Sequence, residues 1–418
     1  MATPPRPPEE ERDPRAIIAT SFPAIAALGT ALEPEMRLVE ERLRREEASG
    51  RDTSGLRQIL RELHWRLEST ADVAASCETL KRLRLAEAAR DSPSALKPNE
   101  DGSYGIETDV WFLKLDASID ALLLEDCKPD RRPPRFLDPI NDPDRLRSYL
   151  SNLLLSKPAE DGVDRRKELN LSSANLVRLI LRRLPEGYPW HPGVEASIRR
   201  FITDWQDPET GFFGAFYEVG RSRWQTADLS LTFHMARYLD GKIGYWPQLA
   251  DTLLTMRGER YPNGWLDENG MTSHNNYDVA TLFRLGWRAM RPDQRREAAH
   301  ELDRLLGWCL ERAIAADGTV VARAAGEALP ESCYFTIAFL DTAGTFEFGR
   351  PFWNDRAVPG VEGLRAGLER QLAKLCPCHP MTRMAFARLS GKGRPVAGKS
   401  SLPRGQRGKG HGQTAKRV

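Results

Sequence analysis

Apolar residues recur at three- and four-residue spacing through most of this chain, which is the pattern of amphipathic α-helices with one buried face. Runs that strictly alternate apolar and polar residues, the pattern of half-buried strands, are scarce. The chain is therefore predicted to be all-α. The predicted helical runs are Glu35–Glu47, Leu56–Leu67, Val73–Ala88, Val110–Leu124, Arg145–Leu155, Ala174–Leu184, Val194–Trp205, Asp228–Leu239, Pro247–Met256, Asn276–Trp287, Gln294–Ala315, Tyr334–Leu340 and Val361–Leu375.

Six glycines separate these runs at intervals of 49 to 60 residues: Gly50, Gly102, Gly162, Gly211, Gly264 and Gly318. A glycine just past a helix end suits the left-handed conformation of a helix cap or a tight turn. A two-helix unit repeated about six times predicts an α/α toroid, in which one helix of each pair lines a central cavity and the other faces solvent. The alternative is an α-solenoid, whose units of about 40–47 residues are shorter.

Composition changes towards both ends of the chain. We assign residues 1–33 to a Pro/Glu/Arg-rich segment that is partly disordered, residues 34–385 to the toroid and residues 386–418 to a basic disordered tail. Residues 391–418 hold eight Lys and Arg and no acid, so the other 390 residues carry 53 basic and 59 acidic side chains. The first interpretation of the tail is a solvated segment, and the second is non-specific contact with a polyanion.

Hydropathy and cysteine usage predict a protein without a membrane span, a signal peptide or a disulfide framework. The most apolar segment, Ala16–Leu32, is interrupted by polar residues and follows three glutamates. The six cysteines are irregularly spaced, so we expect reduced thiols and a cytoplasmic location. Cys376, Cys378 and His379 are close together, but a zinc site needs four ligands. We therefore expect no metal and no cofactor, and interpret this motif as the end of a helix.

One stretch resembles a known family. Phe201 and Ile202, then Gln206, Gly211 and Phe213, resemble the QW-type repeat of terpenoid cyclases and protein prenyltransferases. Weaker copies are Asn263-Gly264-Trp265 and Asp317-Gly318-Thr319. The resemblance covers residues 195–345 and implies an α/α toroid. The acidic motifs of squalene-type cyclases and of diphosphate binding are absent, as is the zinc pair of protein prenyltransferases, so the resemblance extends to the fold and not to those chemistries.

Two predicted helices carry a narrow polar stripe on an otherwise apolar surface. In the first helix the stripe covers about 80° and consists of Thr226, Ser230, His234 and Arg237. In the second helix it consists of Tyr277, Thr281 and Arg284. Such a stripe points into a cavity, and an arginine at its end suits an anionic group of a ligand. The alternative is that both arginines pair with acids of neighbouring helices.

The second of these helices opens with further candidate residues. His274 is a candidate general acid or base near neutral pH, and the Asn276 amide is a candidate ligand contact. Asn275 and Asp278 have the spacing of a helix N-cap and its third residue, which gives both of them a structural role.

Asp228 and the aromatic residues complete the candidate set. Asp228 lies on the apolar side of its helix, and a buried carboxylate either has a raised pKa, as a catalytic acid requires, or forms an ion pair, here with Arg221 or Arg223. Sixteen of the 34 Phe, Trp and Tyr residues fall between residues 201 and 287. Among them, Trp265 is a candidate for stacking on a ligand, although core packing explains most aromatic residues.

These residues support three hypotheses. The leading one is a terpenoid-cyclase-like toroid that binds a small or oligomeric ligand in an aromatic, partly cationic cavity, with catalysis there as an open alternative. A deep, apolar cavity would favour an isoprenoid as the ligand. The second is a carbohydrate-active toroid, a glycoside hydrolase or polysaccharide lyase acting on an oligosaccharide. In a lyase, His274, Asn276 and Tyr277 would serve proton abstraction, and Arg237 or Arg284 would hold a uronate carboxylate. The third is a non-enzymatic interaction scaffold.

Overall fold

A computed structural model describes residues 13–89, 98–123, 132–321, 327–377 and 379–391. This part of the chain is mostly helical, which confirms the all-α prediction. Its α-helices are α1 (Pro14–Ser21), α2 (Pro23–Ala48), α3 (Ser54–Ser69), α4 (Val73–Ala88), α5 (Trp111–Leu123), α6 (Pro143–Leu153), α7 (Pro158–Asp161), α8 (Arg166–Arg182), α9 (Val194–Trp205), α10 (Leu229–Tyr238), α11 (Trp246–Thr255), α12 (Ser273–Gly286), α13 (Pro292–Trp308), α14 (Leu329–Ala343), α15 (Thr345–Phe348), α16 (Val361–Leu372) and α17 (Pro380–Leu389).

The described residues also contain one small sheet. Strand β1 (Leu155–Ser156) pairs in parallel with β2 (Phe216–Val219), and β2 forms an antiparallel hairpin with β3 (Ser222–Gln225). Short 3₁₀ helices span Arg135–Ile140 and Met256–Gly258, and a π-helical turn, Cys309–Ala313, follows α13.

Helix α9 illustrates how the apolar pattern specifies an element. Its residues Val194, Ile198, Phe201, Ile202 and Trp205 recur at helical spacing, and all five are buried. The predicted bounds of this helix and of α4 agree with the structure to the residue. Where one face of a helix must be buried, the periodicity of apolar residues reveals the element without further information.

Helix α2 crosses the predicted domain boundary at residue 34. Helices α1 and α2 begin well before it, and Pro34 lies inside α2. Ile17, Ile18 and Ile25 are buried, so this N-terminal stretch packs against the body. At the other end α17 continues past residue 385, and Leu389 is buried. The remainder of the predicted tail, residues 392–418, lies outside the described residues.

Six helices lie side by side in chain order, and we call them the central series. Helix α5 packs against α8, α8 against α10, α10 against α12, α12 against α14, and α14 against α17. Helices α8 and α10 run parallel. Near their starts Asn170 Nδ2 donates to Ser230 Oγ at 2.9 Å, and near their ends the Arg178 guanidinium lies 5.0 Å from the centroid of the Tyr238 ring.

Other helices form a second layer beside the central series. Helices α6 and α9 pack against each other and against α8, α11 packs against α12 and α13, and α16 packs against α14 and α17. Separate apolar clusters fill the space around α5 to α10 and around α10 to α17.

Helix α3 packs between α2 and α4 and also reaches two helices of the central series. Trp65 packs edge-on against Phe112 of α5, with ring centroids 5.1 Å apart. Arg61 pairs with Asp116 of α5 at 3.1 Å and with Glu331 of α14 at 3.8 Å. Helix α3 therefore bridges the start of the central series and a later member of it.

The six glycines of the predicted repeat precede α3, α5, α8, α10, α12 and α14 in that order. All but Gly264 adopt the left-handed conformation, with φ between 67° and 83°. Gly264 is required for a different reason, because a Cβ atom there would lie 2.1 Å from the Glu259 carbonyl oxygen. At five of the six positions, the glycine thus has both the spacing of the predicted repeat and the predicted left-handed conformation.

Among the described residues, no individual helix has both the length and the apolar character of a membrane span. Only α1 and α2 taken together, with a bend of 112° between them, meet that test by length and composition.

Candidate functional site

Polar and aromatic side chains from α8, α10, α12 and α14 meet at the middle of the central series. His234, Arg237, Tyr261, His274 and Phe335 are only half-buried, although helices stand on several sides of them. Because these side chains keep accessible surface, they border solvent rather than a fully packed core, and we call the solvent-accessible region beside them the open space. The structure therefore brings together three of the predicted site residues, His234, Arg237 and His274.

His274 is the most accessible candidate catalytic group, with 36% of its side chain exposed. Its ring stacks on Phe335, with centroids 4.0 Å apart and an interplanar angle of 14°. Burial disfavours the imidazolium and lowers the pKa of His274 to about 4, despite attraction from Glu331 and Asp267. His274 is therefore a neutral imidazole at neutral pH, which can accept a proton.

Asp278 and Tyr261 stand beside His274 and were missed as site residues. Asp278 Oδ2 lies 3.9 Å from His274 Nε2 and accepts a hydrogen bond from the Tyr261 hydroxyl at 3.3 Å. Asp278 is fully buried, and burial raises the pKa of its carboxyl group well above the usual range. The sequence analysis assigned Asp278 to helix capping and therefore missed it as a site residue. It could have been found from its position one turn after His274, on the same helix face.

Arg237 and Arg388 enclose two tyrosines. The Arg237 guanidinium lies 5.5 Å from the centroid of the Tyr277 ring, and that of Arg388 lies 5.3 Å from it. Arg388 Nη2 donates to the Tyr277 hydroxyl at 2.9 Å, and Arg237 Nη2 donates to the Tyr334 hydroxyl at 3.5 Å. Tyr277 is buried, and its ring packs against the Arg237 guanidinium.

The two phenols differ in acidity. Burial raises the pKa of Tyr277, and attraction to Arg237 does not reverse this. Burial acts on Tyr334 in the same direction, but attraction to Arg237 and Arg388 outweighs it and lowers the pKa of Tyr334. Like Tyr261 and Asp278, Tyr334 was not predicted as a site residue from the sequence.

His234 lies on α10, one turn before Arg237 and Tyr238. Burial, followed by repulsion from Arg237 and Arg178, lowers the pKa of His234 to about 3. Its Nδ1 atom is buried and has no hydrogen-bond partner among the described residues. A neutral imidazole with an unused nitrogen can bind a polar group of a ligand.

Asp228 forms an ion pair, which was the alternative to the predicted catalytic role. It is the N-cap of α10, and its Oδ1 accepts from the Leu231 backbone N–H at 3.0 Å. Its carboxylate is paired with Arg166, whose Nη2 donates to Oδ1 at 3.0 Å. Arg166, 62 residues away in the sequence, thus takes the place of the expected Arg221 or Arg223. Because the Asp228 carboxylate both caps α10 and pairs with Arg166 of α8, it holds α10 against α8.

The predicted cap of α12 is also wrong. Thr272 is the N-cap, and its hydroxyl accepts from the Asn275 backbone N–H at 3.1 Å. Asn275 lies inside the helix, where its side-chain amide donates to the Trp265 carbonyl oxygen at 3.0 Å. Threonine is one of the preferred N-cap residues, and with Thr272 in this role the helix begins three residues earlier than expected.

Three predicted ligand-binding residues lie away from the open space. Asn276 is buried about 200° around the helix axis from His274, on the opposite face of α12. Trp265 is 1% exposed and packs against Phe283, so neither ring face is available to a ligand. Arg284 is exposed and donates to the Thr342 carbonyl oxygen at 2.6 Å, at the end of α14. The structure therefore does not bring these three residues together with His274.

Thr281 lies on the predicted face of α12 but is buried. It lies on the same side of α12 as His274 and Tyr277, two turns after His274. It is buried, and its hydroxyl has no hydrogen-bond partner among the described residues.

Cations without an acidic partner line the same region. Within the part of the chain that the structure describes, no acidic side chain forms an ion pair with Lys167, Arg178, Arg237 or Arg383. Asp120, which forms no ion pair among the described residues, has a pKa that burial raises despite attraction from Arg178. The region is therefore predominantly cationic.

No group of three or more metal-ligating side chains occurs among the described residues. Cys376 is disulfide-bonded, which contradicts the expectation of reduced thiols at this position, while Cys77 and Cys309 are free. His379 is the N-cap of α17, and its Nδ1 accepts from the Met381 backbone N–H at 3.2 Å. His379 thus begins α17, whereas the sequence analysis interpreted this motif as the end of a helix.

No known family, curated protein or solved structure matches this chain.

Proposed function

We propose that the chain is an α/α toroid in which the central series forms an inner ring. Three observations support closure of the ring. Successive members of the series pack against each other, Asp120 of α5 is within electrostatic reach of Arg383 of α17, and Arg61 links α5 to α14. The remaining helices would then form the outer layer.

The environment of Gln206 favours the resemblance to terpenoid cyclases and prenyltransferases at the level of the fold. Its side-chain amide donates to the carbonyl oxygens of Gly211 and Gly244 and accepts from the Gly244 backbone N–H. One side chain thereby ties the loop before α10 to the loop before α11, which is a suitable role for a residue that recurs between helix pairs.

We infer that the cavity of this toroid binds an anionic ligand, and Arg237 carries that inference. Its guanidinium lies within 5.4 to 5.5 Å of the Phe233, Tyr238 and Tyr277 rings and has no acidic partner among the described residues. A charge removed from bulk water without a partner is costly. A carboxylate or phosphate of a ligand would supply the missing partner through a bidentate contact.

A carboxylated oligosaccharide fits the cavity better than an isoprenoid does. The accessible residues are mainly polar, and they include Asp120, Lys167, Asn170, His234 and His274. An isoprenoid chain would need an apolar wall, whereas sugar hydroxyls can exchange hydrogen bonds with these groups. The half-buried rings of Phe335 and Tyr238 add aromatic surface for the apolar sides of sugars.

The acid and base groups suit a lyase-type elimination on such a glycan. Neutral His274 would remove the proton next to the uronate carboxylate, and Arg237 would stabilise the negative charge that develops there. The electron pair of the broken C–H bond would form a C=C bond as the glycosidic C–O bond breaks. The departing oxygen would take a proton from the Tyr261 hydroxyl, and Asp278 would return a proton to that hydroxyl.

Binding of defined ligands tests this proposal. We expect calorimetric titration to detect oligogalacturonate, but not a neutral glucan oligomer of the same length. Arg237→Gln should weaken binding about tenfold or more, since a hydrogen bond to a charged group contributes about 1.5–3 kcal/mol. Exposed Arg284 provides the matched control, because Arg284→Gln should leave the affinity unchanged.

The elimination requires a second readout, the ultraviolet absorbance of the unsaturated uronate product, which His274→Ala should abolish. Preferential binding of an isoprenoid diphosphate would reassign the cavity to the leading sequence hypothesis. If neither ligand binds, the third hypothesis, a non-enzymatic interaction scaffold, is the one that remains.

A further inference from the structure

Two arginines and a histidine converge on the ring of Tyr238, the last residue of α10. The Arg178 guanidinium, from α8, lies 5.0 Å from the centroid of this ring, and the Arg237 guanidinium lies 5.4 Å from it. The His234 ring stacks on the same ring, with centroids 5.5 Å apart and an interplanar angle of 18°. All four residues are half-buried, and we call them the Tyr238 cluster. Through His234 and Arg237 the cluster borders the open space.

Arg178 is the cation of the Tyr238 cluster that the proposed function does not use. Its Nη1 atom donates to the Asn175 side-chain oxygen at 3.4 Å, a neutral group that does not compensate the charge. The carboxyl group of Asp120 attracts Arg178, but burial nevertheless raises the pKa of that carboxyl group. Since a guanidinium has five N–H donors, Arg178 has the hydrogen-bonding capacity for a further acceptor.

The positive charges of the Tyr238 cluster oppose one another. Contact with the aromatic ring stabilises each guanidinium, but it does not offset the repulsion between two like charges held against one ring. Both arginines also act on His234, where their repulsion adds to burial in lowering the pKa to about 3. An anionic group at this position would offset the repulsion. It could also accept a hydrogen bond from neutral His234, whose buried Nδ1 has no partner among the described residues.

We propose that Arg178, His234 and Tyr238 form a second anion subsite beside Arg237, so that the cavity takes a ligand with two carboxylate groups. The identity of that ligand as a glycan rests on the proposed function. The substrate class is then a polyuronate with consecutive acidic sugars, rather than a glycan whose acidic sugars are separated by neutral ones. Arg237 binds the uronate at which elimination occurs, and Arg178 binds the carboxylate of the neighbouring uronate. Because both guanidiniums lie against one ring, a short oligomer can reach both.

Calorimetric titration of the full-length protein with digalacturonate and with monomeric galacturonate tests this inference. We expect the natural protein to bind digalacturonate at least tenfold more tightly, because the second carboxylate binds as part of a molecule already held at Arg237. Arg178→Gln should weaken the binding of digalacturonate about tenfold, through loss of a hydrogen bond between charged groups. It should leave the affinity for the monomer unchanged.

Two further variants control for charge and folding. Arg178→Lys keeps the positive charge but loses the planar fork of donors, so its preference for digalacturonate should lie between those of the natural protein and Arg178→Gln. Arg200 lies on α9 in the second layer, with 76% of its side chain exposed. Arg200→Gln makes the same charge change away from the cavity and should alter neither affinity. The melting temperature of each variant is measured alongside.

The second subsite and the proposed function fail in different ways. Equal affinity of the natural protein for the two ligands, or an undiminished preference in Arg178→Gln, would overturn the second subsite alone. If neither galacturonate binds, the proposed function fails, and inorganic tripolyphosphate then tests the subsite without a sugar. Tripolyphosphate binding that Arg178→Gln weakens about tenfold would support the subsite. Binding that Arg178→Gln does not change, or no binding, would overturn it.

Discussion

Individual side chains in the central region owe their chemistry to what lies against them. The His274 ring rests on Phe335 on one side and is near Asp278 on the other. Burial lowers the pKa of the imidazole to about 4 and raises the pKa of the Asp278 carboxyl group well above its usual range. The proposed elimination requires this combination of a neutral imidazole and a carboxyl group that favours its proton.

Two neighbouring residues of α12 should respond differently to replacement by alanine. His274→Ala removes a stacked ring and should lower the free energy of unfolding by about 0.5–1.5 kcal/mol, while ligand binding or turnover is lost. Asn275→Ala leaves the Trp265 carbonyl without its donor and should cost about 1–3 kcal/mol, while function is retained. Urea denaturation and calorimetric titration of both variants provide the two measurements.

If both variants lose stability and neither changes binding of any ligand, His274 has no role in the site. That result would leave the helical fold as the only supported conclusion.

His64 on α3 makes stability depend on pH. Burial lowers its pKa, but hydrogen bonds to Glu40 and Glu68 outweigh burial and raise it to about 9, from an ordinary value of 6.5. Since the folded state holds this proton more tightly, the contribution is fully present below pH 6.5 and is lost as the pH rises through 9. Urea denaturation at pH 6 and pH 9 should therefore show lower stability at pH 9.

The matched variant is His64→Gln, which cannot hold the extra proton. It should flatten the pH dependence in this range and be closest in stability to the natural protein at pH 9. An unchanged slope in the variant would assign the effect to another group.

At the scale of helices and loops, glycines set where each helix of the repeat begins. Gly211 has a φ of 72°, and a Cβ atom there would lie 2.5 Å from the Leu249 backbone nitrogen. Gly187 has a similar φ of 83°, with no atom within 4 Å of a Cβ. The two positions therefore separate the cost of the left-handed conformation from that of close contact.

Alanine at these positions should distinguish the two costs. Gly187→Ala should lower the free energy of unfolding by about 1–2 kcal/mol, the penalty of the left-handed conformation alone. Gly211→Ala should cost clearly more, because the loop must also move away from α11. Equal losses in chemical denaturation would mean that the contact between this loop and α11 is easily relaxed.

For the molecule as a whole, the basic C-terminal segment should contribute nothing to stability. Residues 392–418 are rich in Gly, Pro, Lys and Arg and offer almost no apolar surface to bury. A chain ending at Gly391 should keep its free energy of unfolding within about 0.5 kcal/mol. A fall of several degrees in melting temperature would instead show that the segment docks on the body.

The sequence by itself determined the helices and the turns between them. Apolar periodicity located α4 and α9 to the residue, and glycine spacing located six loops that each precede a long helix. Both signals are local, because one buried face imposes a 3.6-residue period and a left-handed backbone favours glycine. The start of α2 was missed because Pro34, a residue that usually breaks helices, lies within it.

Only the tertiary structure decided which side chains meet. Asp228 pairs with Arg166, and Tyr277 with Arg388, across 62 and 111 residues of sequence. Asn276 and His274 are neighbours in the chain but lie on opposite faces of α12, so one is in the core and the other borders the open space. Periodicity defines a buried face but not which helix covers it. Side-chain pairing, burial and pKa depend on the helix that covers this face, and only the tertiary packing determines which helix that is.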